Sequence, residues 1–331
     1  MRILVTGVTG YVGGLMAQRL LGDGHDVTGL VRDPSRAPDG VRVVRGDAVT
    51  GAGLEAAMRG IEVAYYLIHS MEPRVDGAGA SPARAQPPPT AAPTPRSPAV
   101  PSERFAALEL TAARRFGRAA ARAGVHRIVY LGGLAPAAGR PSPHLSSRLA
   151  VERELLSAVP GSVALRASIV IGARSRSFRL LVRLVERLPV LAIPAWGERR
   201  TAPIDERDIV SMLARAAASE HVAGRSLDAA GPEVVSYREL IARIADAMLV
   251  RRPAVTLRRL TVTPIASRLA AVVSGEHHEL VGPLMESLRT DLLASADRDA
   301  AAALGLRLHS LDSAIEHSLR EWEQTEALAA R

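Results

Sequence analysis

His144 and Arg148 stand four residues apart in the run PSPHLSSR, an interval that puts both side chains on one face of a helix. An imidazole, with a reference pKa of about 6.5, suits a general acid near neutrality. A guanidinium stays protonated, so Arg148 can bind ribose hydroxyls or an anionic substrate but relays no proton. The other reading of His144 is a helix-start side chain beside a cleft with no part in chemistry, because acid catalysis requires a geometry that spacing does not supply. A second set of candidates opens the chain, in LVTGVTGYVGG. A strand ends at Thr6 and Gly7 begins the turn. Gly10 lets backbone approach a pyrophosphate, and Gly13 allows close packing as a helix starts. The free N–H groups and positive dipole end of that helix suit phosphate. Thr6, Gly7, Thr9, Gly10, Tyr11, Val12 and Gly13 are therefore the expected cofactor-binding loop.

The second strand ends in LVRDPSR. An NAD site usually places an acid there to accept the ribose hydroxyls, whereas a 2'-phosphate calls for a cation. Arg32 occupies that end and Arg36 lies within reach of the same edge, and a planar guanidinium fork suits phosphate. Asp33 offers the opposite choice if the turn rotates. The balance favours NADP(H) over NAD(H).

These residues need a scaffold, and the alternation of apolar runs supplies one. RILVTG, DVTGLVR, VRVVRGD, VAYYLIHS, RIVYLGG and VALRASIVIG read as strands, with helices from about Gly13 to Leu21 and through GLEAAMRG, ERFAALELTAARRFGRAAARAG and SSRLAVERELLSA. That rhythm predicts an α/β fold, a Rossmann-like doubly wound parallel sheet, with a smaller C-terminal substrate region. Residues 1–230 form the expected NAD(P)-binding core. Residues 231–331 form the expected substrate-covering region, with 173–200 also contributing to the cleft. Residues 72–101 carry nine prolines and almost no large apolar side chain, so they read as a disordered insertion.

Composition removes whole classes of chemistry. All 42 basic residues are Arg, so a Schiff base and a P-loop lysine are excluded. The chain has no Cys, which excludes disulfides and thiolate metal sites and fits a cytoplasmic protein. The net charge of +8 is spread over arginines interleaved with 34 acids, so no nucleic-acid partner is expected. No signal peptide or integral membrane segment is expected either, since the best apolar runs are broken by charge and Pro. Oligomeric state is not legible.

At this point the sequence resembles the atypical short-chain dehydrogenase/reductase family, most closely its NmrA-like and complex I accessory-subunit-like NAD(P)-binding branches. The resemblance is carried by TGVTGYVGG, GLVRDP, RGDAVT, AYYLIHSM, RIVYLGGL, SPHLSSR, LRASIVIG and TAPIDERDIV, and more weakly by GPLMESLR. It implies that Asp47 lies by the adenine, that Leu67, Ile68 and His69 pass beneath the adenosine and ribose, and that Gly132 and Gly133 border the nicotinamide. It also implies a substrate cleft beside Gly172. The catalytic pattern of that family has a Ser after the fifth strand, then a Tyr and a Lys four residues on; here Gly132-Gly133, His144 and Arg148 stand at those places.

The remaining candidates are weaker. The EHHE run at 276–279 lacks zinc-ligand spacing, and no metal site is expected. RSFRLLVRLVERL reads as an amphipathic helix, with Phe178, Leu181, Val182, Val185 and Leu188 on its core face and a solvated stripe of Arg179, Arg183 and Arg187. Asp205 and Asp208 read as structural. The expected activity is that of a reductase moving hydride to a carbonyl, imine or activated double bond of a small molecule. The alternatives are a non-catalytic NAD(P)H-binding sensor or assembly factor, and a nicotinamide-assisted isomerase or epimerase.

Overall fold

A computed structural model describes residues 1–68, 101–136, 141–257 and 290–326. His69, residues 72–100 of the Pro-rich stretch, the EHHE run and GPLMESLR lie outside the described residues. In chain order the first half comprises β1 (Arg2–Thr6), α1 (Tyr11–Gly22), β2 (Asp26–Val31), β3 (Arg42–Arg45), α2 (Leu54–Met58), β4 (Val63–Tyr66), α3 (Pro101–Arg122), β5 (Arg127–Gly133) and α4 (Pro143–Ala158). Then follow β6 (Val163–Ala167), β7 (Val170–Ile171), α5 (Arg176–Arg187), β8 (Leu191–Pro194), β9 (Arg200–Thr201), β10 (Ile204–Asp205), α6 (Glu206–Ala218) and β11 (Ser226–Ala229). The chain closes with β12 (Val235–Ser236), α7 (Tyr237–Ala247), β13 (Ala254–Leu257), α8 (Ala300–Leu304) and α9 (Leu311–Thr325).

Seven strands make one sheet in the order β11-β6-β5-β4-β1-β2-β3, and every pairing in it is parallel. The strand order reverses at β1, where Ile3 pairs with Val27 on one side and Val63 on the other. In such sheets ligands bind outside the carboxyl ends of the strands at the reversal point. The period-two alternation of β1 explains the layering: Ile3 and Val5 face a core with Met16 of α1 and Ile209 and Leu213 of α6, while Leu4 faces the opposite core with Phe116 of α3 and Leu155 of α4. Ala300 and Leu304 of α8 return to the α1 and α6 side. A further core gathers Phe178, Trp196, Tyr237, Ile241, Ile315 and Trp322 from residues that lie after β6.

Two local expectations change. VALRASIVIG is not one strand: β6 ends at Ala167, Ser168 N–H donates to the Ala229 carbonyl at 3.1 Å, and β7 pairs with β10 outside the main sheet. The chain bends there because its neighbour β11 also ends. The basic stripe of α5 is solvated at Arg187 but not along its whole length. Arg183 is buried, paired with Glu186 and Glu326, and stacked 5.0 Å from the ring centroid of Trp322, with Arg179 at 4.4 Å on the same indole.

Several polar contacts fix α6 against the sheet. The buried Arg127 donates to the carbonyls of Gly161, Ala216, Ala217 and Ser219, satisfying the open carbonyl end of the helix. At the other end Asp205 accepts from Arg207 N–H at 2.7 Å and holds the Arg207 guanidinium through both oxygens. Asp208 accepts from His309 N–H at 2.9 Å and faces His309 Nδ1 at 2.7 Å. Both carboxylates are thus used to position α6, whose first residue, Glu206, borders the site.

Candidate cofactor and active site

Gly7 has φ of +74°, and a Cβ there would lie 2.5 Å from the Leu67 carbonyl oxygen. Only Gly lets the turn after β1 pass so close to the segment after β4. Gly10 N–H donates to the Gly7 carbonyl at 2.8 Å, and a Cβ at Gly13 would collide with that same carbonyl. The first helical bond of α1 runs from Gly14 N–H to the Gly10 carbonyl, and Gly10 provides no side-chain cap. The amides of Tyr11, Val12 and Gly13 therefore have no partner within the helix and point out of its start, where phosphate oxygens are bound. The three glycines and these amides fit a dinucleotide pyrophosphate. The buried Thr6 hydroxyl donates to the Tyr65 carbonyl at 2.9 Å, so this side chain ties β1 to β4. Thr9 is exposed on the loop.

Around this loop the other expected residues come together at strand ends. Arg32 and Arg36 are exposed just past β2. Asp33 accepts from Ser35 N–H at 3.1 Å and from the Ser35 hydroxyl at 2.8 Å, which holds its carboxyl below the usual range. Asp47 accepts from Val49 N–H at 2.7 Å, closing the turn after β3. Leu67 is buried and Ile68 half-buried directly after β4, against the Gly7 turn.

Gly132 and Gly133 end β5, and a Cβ at Gly133 would come within 3.1 Å of Leu145 in the first turn of α4. Pro143 and the Ser142 cap, whose hydroxyl accepts from Leu145 N–H at 3.3 Å, start that helix here. His144 follows, half-buried. Arg148 is buried one turn on, 4.0 Å from Glu109 of α3. Glu109 also accepts from the Ser147 hydroxyl at 2.5 Å, and Tyr130 donates to the Arg148 carbonyl at 3.3 Å. Glu109 was not singled out from the sequence, where it is one acid among the Ala, Leu and Arg residues of α3. Its only signal is a lone carboxylate on the face that meets α4.

This environment changes the chemistry of His144. Burial first, and then the Arg148 guanidinium, push its pKa down to about 4, against a smaller opposing effect of Glu109. At neutral pH the imidazole is uncharged, so it donates an N–H without being an imidazolium acid. The linkage has a definite sign. Between about pH 6.5 and pH 4 the unfolded chain binds a proton at this position and the folded chain does not, so stability falls as pH falls through that window and is fully present above it. With partial exposure taken into account, the loss should be on the order of 2 kcal/mol. Urea unfolding at pH 7 and pH 4.5 should show a difference that shrinks by this amount in His144→Phe.

A second polar group sits on the other side of the Gly-rich loop. Tyr11, the first residue of α1, donates its hydroxyl to Glu206 of α6. A Cβ at Gly172 would collide with both the Tyr11 hydroxyl and the Glu206 carboxylate, so Gly172 leaves the room they occupy. Glu206 is also hydrogen-bonded to Glu321 and lies 3.7 Å from His317 Nε2, both from α9. Burial, with Glu321 beside it, pushes Glu206 up to about 7. None of Glu206, His317 and Glu321 was singled out from the sequence. The one available signal was the four-residue interval between His317 and Glu321.

Comparison with known proteins agrees with this geometry. Residues 7–156 match the family described as NAD(P)H-binding. A 3-diazoavenalumate denitrifying reductase of a Streptomyces species is 51% identical over 49 residues, which span 15% of this chain and 16% of that protein. Among solved structures, the UDP-glucose 4-epimerase of Thermotoga maritima with UDP-glucose has a TM-score of 0.71 at 12% identity, covering 98% of this chain and 99% of that one. The UDP-glucuronic acid 4-epimerase of Bacillus cereus, in complex with UDP-glucuronic acid and NAD, has a TM-score of 0.68 at 16% identity, covering 98% and 100%. At such identities the likeness is one of fold. The shared fold is the Rossmann-like parallel α/β architecture expected from the sequence. Within it, residues 7–156 form the part that matches the NAD(P)H-binding family. Among the described residues no helix is long and apolar enough to cross a membrane.

Proposed function

We propose that this protein is an NADP(H)-dependent reductase of a small molecule bound beside Gly172, between the Gly-rich loop and the elements that follow β6. The observation that carries this reading is the joining of His144, Ser147, Arg148 and Glu109 at the end of β5, next to a loop whose amides are open to a pyrophosphate. When bound, the dinucleotide supplies a hydride. The chain contributes the rest: Tyr11, Val12 and Gly13 hold phosphate oxygens by their amides, Gly132 and Gly133 leave the strand end open, and Arg148 anchors α4 beneath. His144 hydrogen-bonds through its neutral N–H to the oxygen or nitrogen on which negative charge develops as a carbonyl, imine or activated double bond takes the hydride, and solvent supplies the proton that completes the reduction. The reductase named for the Streptomyces relative supports this direction of chemistry.

The preference for the 2'-phosphate rests on the end of β2. Asp33 is engaged by Ser35 in its own turn, while Arg32 and Arg36 are exposed at that edge. Calorimetry should show tighter binding of NADPH than of NADH, and Arg32→Ala should remove most of the difference. A charge-assisted pair contributes about 1.5 to 3 kcal/mol, so roughly tenfold to a hundredfold is expected. Equal affinities in the wild type would overturn the assignment. Catalysis itself is tested by NADPH oxidation against carbonyls, imines, enones and 3-diazoavenalumate. Tight NADPH binding with no turnover on any of them would replace the reductase by a cofactor-binding sensor.

A further inference from the structure

We propose that Glu206, His317 and Glu321 form a binding site for a divalent transition-metal ion of the zinc type, standing between the Gly-rich loop and α9. One ligand atom from each of these residues lies within 4.8 Å of the other two. His317 and Glu321 are four residues apart on α9, so the helix presents an imidazole nitrogen and a carboxylate oxygen side by side. Glu206 faces them from the first position of α6, which the Asp205 cap and the Arg127 lock hold in place. Three protein ligands with a coordination position left over is the ligand count of an open zinc site, and imidazole and carboxylate are both zinc ligands. Imidazole favours zinc and its first-row neighbours over magnesium and calcium, which take oxygen shells.

The packing brings the three donors together. Glu206 is 5% exposed, and its carboxylate lies within 4.8 Å of ligand atoms of His317 and Glu321. His317 Nε2 lies 3.7 Å from Glu206 Oε1, beyond good hydrogen-bonding distance. Around the group, Asp205 is already held bidentately by Arg207, and Tyr11 contacts the second oxygen of Glu206. The Tyr11 contact is what a metal-binding carboxylate uses to fix its orientation. Gly172 makes room for this Tyr11–Glu206 pair, since any side chain there would displace both. An ion here would tie the first residue of α1 to α9 through Glu206.

The site does not depend on the reductase reading and is tested without turnover. The full-length protein, stripped with EDTA, is titrated with Co2+ and followed by visible absorption, then challenged with Zn2+. The expected result is saturable ligand-field absorption for about one Co2+ per chain, displaced by Zn2+. His317→Ala and Glu321→Gln should each weaken Co2+ binding by roughly tenfold or more. A variant with His277 and His278 both replaced by Ala should keep it, which separates this site from the EHHE run. Urea unfolding of each variant verifies that it is folded, and His317→Gln replaces His317→Ala should the latter fail to fold. No saturable absorption, wild-type affinity in both the His317 and Glu321 variants, or loss of the signal in the His277 and His278 variant would each overturn the proposal.

Discussion

Replacing Arg148 by Met should lower the free energy of unfolding by about 3 to 5 kcal/mol, the range seen when one partner of a buried ion pair is removed. The side chains of Arg148 and Glu109 are 8% and 10% exposed. Their separation of 4.0 Å gives only a modest direct attraction, so the cost comes mainly from the Glu109 carboxylate left buried without its counter-charge. Ser147 continues to donate to that carboxylate, but one hydroxyl does not replace a guanidinium. The double variant Glu109→Gln/Arg148→Met removes both charges and keeps an acceptor for Ser147, so it should recover most of the lost stability. Urea unfolding of the wild type, both single variants and the double variant forms a thermodynamic cycle. A coupling of less than about 0.5 kcal/mol would show that the two side chains act independently. This prediction also alters how Arg148 is to be tested: weaker cofactor binding in Arg148→Ala reports on the cofactor only if the fold is intact.

The residues read correctly from the sequence are those whose neighbours are local. Gly7, Gly10 and Gly13 face one another across a single turn, so their spacing already encodes the close approach of Gly13 to the Gly7 carbonyl. The strands of the sheet are short apolar runs whose period specifies both cores, and β5 falls on RIVYLGG with no shift. What spacing did not reveal depends on partners far along the chain. Ser147 meets Glu109 across 38 residues, and Tyr11 meets Glu206 across 195. The buried Arg183 follows the same logic: periodicity assigns a charged stripe to water, and only Trp322 and Glu326, from the end of the chain, convert it to an interior contact. The break after Ala167 was hidden because LRASIVIG is apolar enough to continue a strand, and the bend is set by the length of β11. His144 lies between these cases. Its position at the start of α4 was legible, but its charge state was not, since a reference pKa takes no account of burial or of Arg148 one turn away.

That charge state leads to the prediction with the largest kinetic effect. If His144 acted as an imidazolium acid with an ordinary pKa, turnover would fall as pH rose from 6 to 8. With the pKa pushed down to about 4, the imidazole is already neutral over that whole range, and in the proposed reaction it would contribute an N–H to the atom that gains negative charge. Single-turnover NADPH oxidation by the wild type should therefore be flat from pH 6 to pH 8 with respect to this group, and should change only as pH approaches 4 and the imidazole gains a charge next to Arg148. His144→Phe keeps an aromatic ring at the start of α4 but removes the donor. Loss of one such preorganised donor costs about a hundredfold to a thousandfold in rate, or about 2.7 to 4 kcal/mol. NADPH affinity should change little, because the proposed site holds the pyrophosphate by the amides at the start of α1 and not by α4. His144→Gln supplies an N–H from a group that does not titrate, and so should restore part of the rate while leaving the profile flat. A wild-type rate that drops tenfold between pH 6 and pH 8, with the drop abolished in His144→Gln, would return His144 to the role of an ordinary imidazolium acid. Equal single-turnover rates in the wild type and His144→Phe would remove it from the chemistry, leaving the charge to be met by solvent or by the substrate itself.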